Sequence, residues 1–210
     1  MLKLEENLVG VVNLIFFEIE LNEKFSEKNL KDFIDGEIDV LCNKYRVEDL
    51  KKIPEILEFR KILKSDGLDP SKHRISVEAL YRRILKKKSF PHIFPLVDIN
   101  NFLSLKLFLP VCVYKKESIK PPLKLRYGKK GEKLESLRGR FSLEGKITLE
   151  DSLGPFGSPF IDDRRVLLTG DESAAYGDIY IPSKFEVKDY VERGEGLISK
   201  IEGVNIRFFV

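Results

Sequence analysis

Pro121-Pro122-Leu123-Lys124-Leu125-Arg126-Tyr127-Gly128 is where the chain changes character, and that change sets the fold class. Beyond it, Gly131, Gly139, Gly145, Gly154 and Gly157 punctuate short apolar pieces such as Leu123–Tyr127 and Val166–Leu168. That pattern predicts a sheet of short strands. Before it, apolar residues recur at helical spacing. Leu30, Phe33, Ile34, Ile38 and Leu41 predict a helix over Asn29–Tyr45. Leu50, Ile53, Leu57 and Leu63 predict another over Val47–Lys64, with Pro54 in its first turns and Ser65-Asp66-Gly67 as its stop. Ser76 is placed to cap a third helix, whose Val77, Leu80, Tyr81 and Ile84 form one apolar face. Glu78 in its first turn and Lys86-Lys87-Lys88 in its last suit the helix dipole. A long apolar run, Leu96–Leu109, precedes the strand-like Val111-Cys112-Val113-Tyr114. An early strand (Val9–Glu20), a final helix (Val187–Ile201) and a last strand (Val204–Val210) frame the rest. Helices lead and strands follow, without strand–helix–strand alternation. The expected class is α+β: one domain over residues 1–210, its N-terminal helices packed on a mixed sheet of short strands.

Hydrophobic residues make up 42% of the 210 and charged residues 34%, a globular balance. Cys42 and Cys112 sit among apolar neighbours with no Cys-x-x-Cys or Cys/His spacing, which argues against a disulfide framework and a structural zinc. Leu8–Leu21 is too short to span a membrane and carries Asn13, Glu18 and Glu20, so the expected setting is the cytoplasm. The net charge of +3 conceals an asymmetry. Residues 82–140 hold 16 Lys/Arg against 4 Asp/Glu, a local +12 that leaves −9 for the remainder. Such a split suits a polyanionic partner, or basic faces neutralised by acidic neighbours in the fold.

Signatures of phosphate loops, dinucleotide folds, zinc proteases and serine-hydrolase elbows are missing from the sequence. His73 and His92 are the only histidines, and neither has an evident partner. Read as a helix, Leu96-Val97-Asp98-Ile99-Asn100-Asn101-Phe102-Leu103-Ser104 places Asp98, Asn101 and Ser104 in a polar stripe on an apolar surface. That stripe must find protein partners, as a buried capping network, or line a pocket. Glycines in Gly154-Pro155-Phe156-Gly157-Ser158-Pro159 would let backbone amides approach an ester carbonyl or a phosphate, or would simply turn the chain. In Asp162-Asp163-Arg164-Arg165 the carboxylates can grip an amino group or pair with the arginines.

Taken together, these segments resemble a known family. Ser76–Lys86, Val97-Asp98-Ile99-Asn100-Asn101 and Leu109-Pro110-Val111-Cys112 look like the B3/B4 tRNA-binding and editing domain of the phenylalanyl-tRNA synthetase beta subunit. Gly154–Pro159 with Asp162-Asp163 resembles the glycine-rich turn of its free-standing branch, and the likeness spans roughly Pro54–Pro182. The resemblance implies a pocket that binds the amino-acid end of tRNA, with Asn100, Asn101, Cys112, Gly154, Gly157 and Asp162 around it. It also implies an acidic residue near Asp178 for the substrate amino group. Asn100 and Cys112 stand where the family's threonine and histidine usually fall. Cys112, between two valines, is expected to be buried and inert as a nucleophile.

The expected function is therefore trans-editing, hydrolysis of a mischarged aminoacyl-tRNA, with Arg82, Arg83, Lys86, Lys87 and Lys88 holding phosphates. Arg82 can instead pair with Glu78 one turn away. No cofactor or metal is expected, and no DNA or membrane partner. Two alternatives stand beside it: a non-catalytic RNA-binding module, and a protein whose pocket binds a free amino acid or small metabolite.

Overall fold

The structure, a computed structural model, describes residues 2–87 and 89–209; Met1, Lys88 and Val210 lie outside the described residues. Along the chain come β1 (Leu2–Leu4), β2 (Val12–Leu21), α1 (Glu27–Lys44), α2 (Pro54–Ser65), α3 (Ser76–Lys87), α4 (Pro95–Leu107), β3 (Val111–Tyr114) and β4 (Leu123–Tyr127). There follow β5 (Lys133–Ser136), β6 (Gly139–Ser142), β7 (Ile147–Asp151), β8 (Gly154–Gly157), β9 (Ala174–Pro182), α5 (Val187–Ile198) and β10 (Val204–Phe209).

The class is α+β, with two four-stranded sheets where one was expected. The first, ordered β10-β2-β9-β3, is antiparallel throughout and joins the two ends of the chain. The second, β1-β4-β7-β8, is mixed: β1 runs parallel to β4, and the other pairs are antiparallel. β5 and β6 form a separate hairpin. The sheets meet where the Tyr114 ring stands edge-on to Phe156, with centroids 5.1 Å apart.

α4 is buried on nearly every side, through Leu96, Ile99, Phe102, Leu103, Leu105 and Leu107. It packs on β3, with α1, α3 and α5 around it. Its polar residues are largely satisfied within the fold. Asp98 Oδ1 accepts the Ile93 N–H (2.8 Å), and Asp98 Oδ2 faces His92 Nδ1 (2.8 Å). Ser104 Oγ donates to the Leu109 carbonyl (2.6 Å) and so closes the C-terminal end, where Phe108 takes a left-handed φ of 60°. For Asp98 and Ser104 the polar stripe is a capping network.

Two expected helix starts are corrected. The second helix begins at Pro54 rather than Val47, because Leu50–Lys52 forms a 3-10 turn and proline, lacking an N–H, fits the first helical position. Ser76 is the first residue of α3 rather than its cap. The Ile75 carbonyl accepts from Ala79, the Ser76 hydroxyl has no partner, and the Ser76 N–H donates to the Pro159 carbonyl (2.8 Å). That bond ties the front of α3 to the segment after β8. Among the described residues, no helix is long and apolar enough to cross a membrane.

Candidate functional site: a buried carboxylate pair

The register of β3 against β9 places Cys112 opposite Asp178. Strand alternation then puts Tyr114 and Tyr180 on the same face as these two. The face is closed to solvent: Asp178 and Tyr180 are 0% exposed. Tyr114 Oη donates to Asp178 Oδ2 at 3.0 Å. Gly157, at the end of β8, lies directly against this group. A Cβ there would stand 2.6 Å from the Tyr114 hydroxyl and 3.6 Å from Asp162 Oδ1, so glycine is what lets Tyr114 occupy the space. The glycine's close approach thus serves the protein's own side chain.

The segment leaving β8 covers the cluster. Ser158 Oγ donates to the Ile161 carbonyl (2.9 Å) and accepts from the Phe160 and Ile161 amides (3.3 and 3.2 Å), a compact turn. Cys112 Sγ points at the Ser158 carbonyl, 3.9 Å away. Asp162 is half-buried as a residue, but its Oδ1 is enclosed. The arginines next along the chain are engaged elsewhere: Arg165 forks onto Asp151 (2.7 and 3.1 Å), and Arg164 Nε donates to the Ser136 carbonyl (2.8 Å). Asp163 accepts the Arg165 amide (3.0 Å) and the Glu135 amide (2.9 Å).

Three polar atoms of this enclosed group have no hydrogen-bond partner: Asp162 Oδ1, Asp178 Oδ1 and the Tyr180 hydroxyl. Burial pushes the Asp162 carboxyl up to about 7, although the neighbouring Cys112 thiol, Tyr114 hydroxyl and Ser158 amide pull the other way. Asp178 is raised well above the carboxylate range, by burial first and then by the negative charge of Asp162. Cys112 is likewise raised, mainly by burial, which holds it as an inert thiol. Burial, and for Asp178 the charge of Asp162 as well, favours the protonated form of each carboxyl. The arrangement can accept a donor-rich cationic group.

Of the expected pocket residues, Cys112, Gly157, Asp162 and Asp178 come together. Gly154 lies at the other end of β8, with a φ of 117° and its carbonyl taken by Arg165 (3.0 Å). Asn100 is buried on α4 with an unpartnered Oδ1, and Asn101 is half-buried; no hydrogen bond among the described residues joins either to the cluster. An open cavity was expected between the asparagines and the glycine turn; beside Gly157 the space is taken by the Tyr114 hydroxyl. The hollows of about 480, 220 and 480 Å³ near Tyr190, Glu18 and Tyr45 are lined by other residues. Tyr114, Ser158 and Tyr180 were not anticipated. Both tyrosines were legible as residues two positions on from Cys112 and Asp178 along strands.

On the basic side, Arg82 donates to Glu78 through Nε and Nη2, both at 3.1 Å, and Arg60 holds the same carboxylate at 3.0 Å. Arg83, Lys86 and Lys87 are exposed. His92 bridges Asp98 and Asp35 (2.8 and 3.0 Å), away from the cluster. Among the described residues, no group of three or more His, Cys, Asp or Glu side chains is placed to hold a metal ion.

Curated proteins give no match to the chain. Among solved structures, an N-terminal fragment of the phenylalanyl-tRNA synthetase beta subunit from Pyrococcus horikoshii is similar at 14% identity and a TM-score of 0.49. The alignment covers 99% of this chain and 50% of that one, so the chain spans about half the fragment's length. A family model described as the B3/4 domain matches residues 59–155, a span that holds Asn100, Asn101, Cys112 and Gly154 and stops short of Gly157, Asp162 and Asp178. Residues 59–155 of this chain, with the whole Ser76–Cys112 block inside them, are thus matched to the B3/4 domain family.

Proposed function

We propose that this protein binds the acceptor end of aminoacyl-tRNA in the cytoplasm, and that the Asp162–Asp178 cluster receives the amino group of the attached amino acid. The observation that carries the reading is the set of three unpartnered polar atoms, Asp162 Oδ1, Asp178 Oδ1 and the Tyr180 hydroxyl, in one enclosed place. An ammonium group brings three N–H donors and the positive charge that lets both carboxyls ionise. The B3/4 match over 59–155 and the tRNA-editing domain that the chain resembles supply the rest of the substrate. Cys112, smaller than the histidine it replaces, would set which amino acid fits. Cleavage of the ester would then release the amino acid in trans. With the thiol held protonated, the attacking water would be oriented by polar groups and the terminal ribose rather than by a protein nucleophile.

The closure of the cluster favours a second reading, an RNA-binding module that hydrolyses nothing. A panel of aminoacylated tRNAs separates the two. Deacylation of one charged species, lost in Asp178→Asn while tRNA binding persists, supports editing. Tight binding with no turnover of any species leaves the module. Stabilisation by a free amino acid, unaffected by tRNA, would point to the metabolite-binding alternative and sink both.

A further inference from the structure

The fold sorts most of the 16 Lys/Arg of residues 82–140 into two groups. Arg82, Lys106, Lys115, Lys116, Lys124, Arg126 and Arg140 face carboxylates. Arg83, Lys86 and Lys87 are exposed at the end of α3, whereas Lys129, Lys130, Lys133 and Arg138 are exposed on and beside the β5–β6 hairpin. No ion pair among the described residues takes any of these seven. The loop before α3 adds to the hairpin side. Lys72 and Arg74 are exposed there, and Lys146, whose charge bears on His73, lies over the Phe141 ring of β6 at 5.6 Å. At the hairpin tip Leu137 is 74% exposed next to Arg138.

The same hairpin is fastened to the cover of the carboxylate pair. The Glu135 amide donates to Asp163 Oδ2 (2.9 Å), Arg164 Nε donates to the Ser136 carbonyl (2.8 Å), and Phe141 meets Phe160 with centroids 6.0 Å apart. Asp163 and Arg164 immediately follow Asp162, and Ser158 of the same segment lies over Cys112. Leu134 is buried beneath the hairpin yet stands outside the main hydrophobic core, so the hairpin rests on a small contact of its own.

We propose that the β5–β6 hairpin is the RNA-docking element, and that a phosphodiester backbone seated on Lys129, Lys130, Lys133 and Arg138 draws the Ser158–Ile161 turn off Cys112 and the carboxylate pair. The proposal rests on the reading above in taking tRNA as the RNA. It assigns the hairpin two tasks, holding the backbone and admitting the amino-acid end. Exposed cations that lack protein partners suit phosphates, which release counterions as they bind. What must give is the turn's hold on the body, the Ser76 amide on the Pro159 carbonyl (2.8 Å) and the Cys112 thiol at the Ser158 carbonyl (3.9 Å), and hydrogen bonds of about 1 kcal/mol apiece are within reach of such binding.

Charge reversal tests the docking. In filter binding with uncharged tRNA, K129E/K130E/K133E/R138E weakens affinity by about tenfold or more and flattens the log–log salt slope by about 0.7 for each single-strand phosphate no longer neutralised. R83E/K86E/K87E changes it less. The reverse ranking moves the docking surface to α3 and overturns the assignment. Thiol labelling tests the coupling. In a Cys42→Ser background, saturating tRNA speeds modification of Cys112 by an aromatic disulfide reagent, the hairpin reversal removes that acceleration, and Arg164→Ala, which cuts one link between hairpin and cover, reduces it. Cys112 labelling that tRNA leaves unchanged or slows overturns the coupling. Neither readout involves ester cleavage, so a protein that docks and opens yet deacylates nothing fails only as an editing enzyme.

Discussion

Glu78 on α3 is 1% exposed and Asp178 on β9 is 0% exposed, yet their surroundings are opposite. Arg60 stands 3.0 Å from each Glu78 oxygen, and Arg82 donates twice more to Oε1. Asp178 has one hydroxyl, one bare oxygen, and a second raised carboxyl for a neighbour. Arg126 repeats the first pattern, buried between Glu132 and Glu150. The chain pairs its buried charges where they hold elements together. It leaves Asp178 and the nearby Asp162 without a cationic partner among the described residues. The first kind stabilises as built, and the second keeps polar atoms unpartnered.

Mutation should separate the two. Removing Glu78 strands two guanidinium groups, so Glu78→Ala should cost ~3 kcal/mol or more in urea unfolding. Asp178→Asn at pH 8 should cost far less, or stabilise, because it removes a group the fold would rather keep neutral. If Asp178→Asn is the costlier change at that pH, the contrast is wrong.

A pH series sharpens the same contrast, with an effect on the order of a few kcal/mol at its largest. The folded protein keeps a proton on Asp162 up to about 7, whereas the unfolded chain loses it near the ordinary aspartate value of 3.8. Between those values the folded state binds more protons, so this group's contribution is greatest below about pH 4 and is lost as pH rises through 7. Asp162→Asn should therefore gain stability over the wild type across that window and show little difference at pH 4, as read from thermal melts. A parallel shift at every pH would show instead that Asp162 is paired.

Closure of the site gives the next effect. Gly157→Ala sets a methyl 2.6 Å from the Tyr114 hydroxyl and should cost ~1–3 kcal/mol through overpacking. Combined with Tyr114→Phe the penalty should shrink, a coupling that a double-mutant cycle measures. Equal penalties in both backgrounds would mean that something else fills the space.

What the sequence revealed follows from what is local. The apolar period within α1, α3, α4 and α5 needs no distant partner, and the Val111–Tyr114 strand announces itself by β-branched neighbours. The pairing of β2 with β9 and β10 joins the ends of the chain, and no periodicity in Val12–Leu21 encodes that register. The site divides the same way. Cys112, Gly157, Asp162 and Asp178 were readable as candidates, but that Tyr114 would fill the hollow depends on how the two sheets stack. Asn100 and Asn101 depended on the rotation of α4 about its axis, which is set by packing from β3, α1, α3 and α5 together. Arg82 was ambiguous for a similar reason: Glu78 was visible one turn away, but Arg60 completed the pair from another helix.

The smallest expected effect concerns a carboxylate that does have partners. Asp98 receives the Ile93 amide and faces His92, and the imidazole's other nitrogen lies 3.0 Å from Asp35. Burial, the largest influence on His92, lowers its pKa, but the hydrogen bonds and charges of Asp98 and Asp35 together outweigh it and leave the pKa raised. Protonated His92 thus contributes stability fully below its unfolded value of about 6.5, and that contribution fades as pH rises through the higher folded value. Asp35 is more than half exposed, so solvent screens that side, and the whole effect should stay under ~1 kcal/mol. His92→Gln should consequently melt lower than the wild type at pH 5.5, with the gap narrowing above pH 7. Both folded pKa values are raised, so both variants gain on the wild type as pH rises: His92→Gln climbs from a deficit toward parity, and Asp162→Asn from parity to an advantage. A deficit at low pH for His92→Gln beside an advantage at high pH for Asp162→Asn would mark Asp98 as held by the fold and Asp162 as left without a partner in it, whereas a pH-independent gap at His92 would reduce its role to packing.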